Sequence, residues 1–84
     1  MSTPAVAAAA TAAAVKAAIE QAGLSVNRAA ALSGIPQSTL DRRLLGTPPG
    51  FNIIELSSLA SVLGVEVGDL LRQSETAAGA ESVA

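Results

Sequence analysis

The sequence predicts an all-α fold, a single compact domain of five short helices. Half of the 84 residues are apolar, enough for one modest core if helices rather than loops fill the chain. Alanine dominates that apolar half, and no residue favours helix more strongly. Glycines and small polar residues fall between the apolar stretches, where helices stop and start. Phe51 is the one aromatic, so the core must come from Leu, Ile and Val meeting across small side chains. Such a core is thin, and stability is expected to be marginal or to draw on a partner subunit.

Residues 1–4 read as a disordered start. Thr3-Pro4 can cap a first helix that runs to about Ala22 and is stopped by Gly23. Val15, Ile19 and Ala22 recur at helical spacing and are expected inward, with Val6, Ala9 and Ala13 as weaker candidates. The first half of this helix is left free to project beyond the domain. Ser25 suits the N-cap of a second helix ending near Leu32, with Ala29, Ala30 and Val26 inward. Gly34 permits a tight turn, Pro36 suits the first turn of a third helix, and Leu40 and Leu44 share its core face. Gly46 stops it. Thr47-Pro48-Pro49-Gly50 forms a stiff polar loop, and Asn52 with Glu55 three residues on is a capping box for helix four. Ile53, Leu56, Leu59, Ala60 and Leu63 make that helix's apolar face. Gly64 ends it, Val65 and Val67 pack back, and Asp69-Leu70-Leu71 form a last short helix. Gln73 to Ala84 is rich in Ser, Thr, Ala, Gly and Glu and reads as a flexible tail. The domain therefore spans 5–72, with the tail at 73–84.

Composition excludes much chemistry. There is no cysteine and no histidine, which removes disulfides, thiol nucleophiles, imidazole bases and nearly every zinc site. Neither a carboxylate pair, a phosphate loop following a strand nor a metal-ligand cluster can be assembled. A non-enzymatic protein is expected, with no cofactor, no metal and no small-molecule ligand, since a chain this short leaves little room for a useful pocket. The N-terminal alanine run lacks a basic leader and is interrupted by Lys16 and Glu20, so no membrane or export segment is expected and the location is read as cytoplasmic.

The net charge of −2 counts against nucleic acid until its distribution is considered. Residues 24–50 carry Arg28, Arg42 and Arg43 against Asp41, whereas residues 51–84 carry Glu55, Glu66, Asp69, Glu75 and Glu81 against Arg72. The basic portion coincides with Leu24–Leu44, LSVNRAAALSGIPQSTLDRRL. Two short helical stretches joined at Ser33-Gly34-Ile35, with Gln37, Ser38, Arg42 and Arg43 on the second, have the layout of a helix-turn-helix, about residues 25–45, that lays its second helix in the major groove of DNA. Gln37 can form a bidentate pair with adenine and Arg42 with guanine. Arg42 can equally make a surface ion pair, and Asp41 can orient Arg42 or exclude unwanted sequences. Three arginines are a weak attraction for phosphate, so tight binding would call for a dimer.

Those residues, together with LASVLGVEVGDLL at 59–71, resemble the Cro/repressor family of phage and bacterial helix-turn-helix regulators over residues 15–72. The C-terminal part matches that family's LA-x-x-LGV-x-x-x-x-LL ending, and SGIPQSTLDRR its turn and third helix. The resemblance implies base contacts at Gln37, Ser38 and Arg42. It sets Ser25, Val26, Asn27 and Arg28 beside one phosphate strand and the loop Gly46–Asn52, with Thr47 and Asn52, beside the other. Two positions depart from the family. Val26 stands where a Gln often clamps a phosphate and braces the glutamine at position 37. Arg43 occupies a place usually apolar or aromatic, so it either reaches a phosphate or snorkels past Leu40 to the surface. Backbone N–H groups beside Asn52 could replace the loop lysines that this chain lacks.

The implied function is sequence-specific binding of double-stranded DNA by a bacterial or phage transcriptional repressor acting through operator occupancy. The Ala-rich first helix is either a stable lead-in or a face for a second copy; a homodimer would target an inverted repeat. The negative total charge motivates another class, a protein-interaction module of antitoxin or adaptor type using the Ala-rich helix or the acidic C-terminal half. An architectural DNA-bending role ranks below both, because no wing strand is visible.

Overall fold

The computed structural model describes the backbone of residues 4–83 and the side chains of residues 7–75. It is all-α, with five helices in chain order: α1 (Pro4–Gln21), α2 (Val26–Ser33), α3 (Gln37–Leu44), α4 (Ile53–Leu63) and α5 (Val67–Val83), and no strand among the described residues. The radius of gyration is 11.9 Å, matching the ~12 Å expected for a compact chain of this length.

One core unites all five helices. Val15, Ala18 and Ile19 come from α1, Ala29 and Ala30 from α2, and Ile35 from the turn. Leu40 of α3, Leu56, Leu59 and Ala60 of α4, and Leu70 of α5 complete it. Leu24, Val26, Leu44, Phe51, Leu63 and Val67 pack around its edge. The leucines one helical turn apart therefore meet across small residues, as the composition requires.

α1 is buried more widely than its sequence suggests. Ala8, Ala12, Val15 and Ile19 form one buried stripe and Ala10, Ala14 and Ala18 a second. α5 is its most extensive helical neighbour. The loop after α3 closes on it as well: Gly46 has φ +80°, and a Cβ added there would stand 3.1 Å from the Cα of Ala9. This corrects the expectation that the first half of α1 projects from the domain. It also means that α5 and this loop already pack on the alanine-rich helix from within the chain. Ala13 and Ala22 are exposed rather than inward. Ala13 lies on the open side with Lys16 and Glu20, and Ala22 sits past the helix end, where the chain turns at Gly23 (φ +73°). Val6 lies outside the described side chains.

Further corrections concern α4 and α5. Ile53 is 58% exposed although its phase matches Leu56. As the first residue of α4, its Cα–Cβ bond tilts back toward the helix N-terminus, off the packed body. Val65 is exposed, whereas Val67 is partly buried. Helix α5 does not stop after Leu71 but continues to Val83 through most of the segment read as a tail. Leu70 and Ser74, one turn apart, are both buried, and the Ser74 hydroxyl donates to the Leu70 carbonyl at 2.9 Å. That bond satisfies the hydroxyl inside the packed seam.

Candidate nucleic-acid interface

Local hydrogen bonds hold α2 and the turn in place. Ser25 is extended (φ −82°, ψ 163°), and its hydroxyl accepts the Arg28 backbone N–H at 3.1 Å, starting α2 as the sequence predicts. Gly34, left-handed at φ +79°, ends it, donating its N–H to Ala30 at 3.0 Å. Ser33 stitches the turn: its hydroxyl donates to the Ala30 carbonyl at 3.2 Å and accepts the Ile35 N–H at 3.4 Å. Ile35 is buried beneath. Pro36 then occupies the N-cap of α3 without a side-chain cap bond, one place earlier than a first-turn proline.

α3 has two unlike faces. Gln37, Ser38, Asp41 and Arg42 are exposed, while Leu40 is fully buried and Thr39, Arg43 and Leu44 are partly buried. At 3.6 residues per turn the four exposed side chains span an arc of about 140°. That arc carries a carboxamide, a hydroxyl, a carboxylate and a guanidinium, a set able to donate to and accept from base edges.

The Gln37 carboxamide donates to the Oδ1 of Asn27, tying the start of α3 to the first turn of α2. Asn27, placed with the phosphate contacts by the resemblance, thus supplies a brace for Gln37 that Val26 cannot. Ser25 and Arg28 are exposed on the same turn of α2. The geometry therefore brings Ser25, Asn27 and Arg28 together with Gln37.

The far side is built differently. Asn52 is exposed, but it is taken up by the expected capping box: its Oδ1 accepts the Glu55 N–H at 2.7 Å, and its own N–H donates to Glu55 Oε1 at 3.1 Å. The box engages two of the N–H groups that a phosphate cradle at this helix start would draw on. Thr47 is exposed on the loop. Arg43, which the resemblance sets either against a phosphate or at the surface, pairs here with Glu55 of α4. Its Nε donates to Glu55 Oε1 at 3.2 Å, and both side chains are partly buried. The sequence held one signal for this pair: an arginine on the inner side of a helix needs a buried acceptor, and Glu55 is the acid that the capping box carries inward.

No helix among the described residues is long and apolar enough to cross a membrane, and those residues contain no cluster of metal-ligating side chains. Residues 9–49 match the helix-turn-helix Psq domain family. The match takes in most of α1, all of α2 and α3 and part of the following loop, just under half of the chain. No curated protein and no solved structure matches it. The family matched is not the Cro/repressor family that the sequence resembles. What both have in common, a helix-turn-helix of the DNA-binding kind, is what the match supports.

Proposed function

We propose that the chain binds double-stranded DNA in a sequence-dependent manner by laying the exposed face of α3 in the major groove. The observation that carries this reading is the outward face of Gln37, Ser38, Asp41 and Arg42, anchored to α2 through the Asn27–Gln37 hydrogen bond. Gln37 and Arg42 read base edges, Ser38 contributes a short hydroxyl contact, and Ser25, Asn27 and Arg28 lie along one phosphate strand. Asn27 has two parts, bracing Gln37 through its side-chain oxygen and approaching phosphate through the exposed start of α2. Thr47 is the contact proposed on the loop side. The biological consequence is regulation by occupancy, the bound domain excluding polymerase or a rival regulator from its site, as a small Cro-like repressor in a bacterial or phage setting would.

Selection of duplexes from a random library, followed by titration of the enriched site, tests the reading. An enriched motif is expected, with affinity falling as salt rises. Arg42→Ala should lower the preference for the enriched site over a scrambled duplex by about 1–3 kcal/mol, the worth of one bidentate base contact. An inverted repeat in the motif would indicate two copies per site. No enrichment at low salt would overturn the proposal. It would favour the protein-interaction reading, for which the highly exposed Leu45, Ile53 and Ile54 are the supporting observation.

A further inference from the structure

Arg43 is the one charged residue on the inner side of α3, which it shares with Thr39, Leu40 and Leu44. Its guanidinium meets Glu55 side-on, with Nε 3.2 Å from Oε1 and a terminal N–H donor 3.5 Å from Oε2. The two side chains are 21% and 14% exposed. Glu55 is itself held: Oε1 also accepts the Asn52 N–H, and the Glu55 N–H is bound to Asn52 Oδ1. A continuous set of polar contacts therefore runs from the last turn of α3 to the first turn of α4, across the loop between them. α3 packs chiefly on α1 and α2, so this pair reaches to a helix that α3 otherwise touches little.

We propose that Arg43 and Glu55 are positioning residues: the pair sets the angle at which α3 is presented relative to α4, and Arg43 makes no phosphate contact. An apolar side chain in its place would fix only a packing distance. A planar guanidinium laid along a carboxylate fixes rotation as well, because both N–H···O bonds hold only in one mutual orientation. Swinging Arg43 out to a phosphate would leave Glu55 mostly buried and without its ion-pair partner, at a cost in solvation. The consequence for recognition rests on the DNA-binding reading above, whereas the helix geometry does not.

The test therefore has two arms, applied to the wild type, Glu55→Gln, Arg43→Gln and the double variant. Glutamine at position 55 still completes the capping box, so Glu55→Gln removes the ion pair while keeping α4 capped, and it serves alone if Arg43→Gln does not fold. In the first arm, residual dipolar couplings report the orientation of α3 against α4 without DNA. Each single variant should reorient α3, and the double variant no further than the singles. A folded Glu55→Gln with unchanged α3 orientation would overturn the proposal.

In the second arm, each protein is titrated with the selected duplex and a scrambled one over a salt series. Both single variants should lose the same share of the preference, at least threefold, with the salt slope unchanged. If Arg43 instead contacts phosphate, Arg43→Gln alone should lower the slope by about 0.9 while Glu55→Gln keeps full preference, and the proposal fails. Should the wild type prefer no duplex, the DNA-binding reading fails on its own, and the couplings still decide whether the pair positions α3.

Discussion

The helix-turn-helix with α4 and the seam between α1 and α5 are built by different means. In the first, bonds at named atoms define each junction: Ser25 to Arg28, Gly34 to Ala30, Asn27 to Gln37, and Asn52 to Glu55. Its interior is a few large leucines. In the second, alanines pack against a neighbouring helix and a glycine-containing loop, with Val15 and Ile19 joining that surface to the core. The difference sets how each region should fail. A leucine core fails by losing volume, because the surroundings relax only partly into a cavity. A small-residue seam fails by gaining volume, because close approach leaves no room for added methylenes.

The largest effect is expected from Leu59→Ala. Leu59 is fully buried among residues of several helices, and truncation should lower stability by about 2–5 kcal/mol, read as a shift in the urea midpoint with an unchanged slope. A loss below ~1 kcal/mol would mean that the core can collapse around the site. Ala10→Leu is the reciprocal change in the seam. With Ala10 only 2% exposed, the larger side chain should cost about 1–3 kcal/mol through overpacking. Stabilisation by Ala10→Leu would mean that the seam has space to fill, and the contrast between the regions would not stand.

The same contrast explains what could be read from the chain before its structure. α2 and α4 were legible because capping obeys local chemistry: Ser25, Gly34, Asn52, Glu55 and Gly64 each act within four residues of themselves, while α3, which has no side-chain cap, was legible from Pro36 at its start and the Leu40–Leu44 spacing. Leu40, Leu56 and Leu59 stood out against polar neighbours, so their burial followed from spacing. α1 offered no such contrast. Where most residues are alanine, a buried and an open position look alike, and the choice falls to neighbours far along the chain, α5 and the Gly46–Gly50 loop. α5 from Gln73 onward is not legible locally because Ser, Thr and Gly interrupt its alanines and weaken helix propensity, whereas packing on α1 is a tertiary contribution. The exposed face of α3 followed from the helical period, but the Asn27–Gln37 and Arg43–Glu55 contacts join residues ten and twelve positions apart. No local rule reaches that far.

The smallest expected effect gives the finest test of this account. Ala12 and Ala14 are 4% and 5% exposed, while Ala13 between them faces outward with Lys16 and Glu20. Ala13→Gln keeps helix propensity nearly constant and adds a polar chain on the open side, so stability should change by no more than about 0.5 kcal/mol. The same residue introduced as Ala14→Gln would bury an amide in the seam and should cost several times more. Equal losses at the two positions would show that α1 is covered all round, with something beyond α5 and the loop on its outer side. Unequal losses in the expected direction would show that burial along an almost uniform alanine helix is decided residue by residue through tertiary contact, since adjacent alanines share the same propensity.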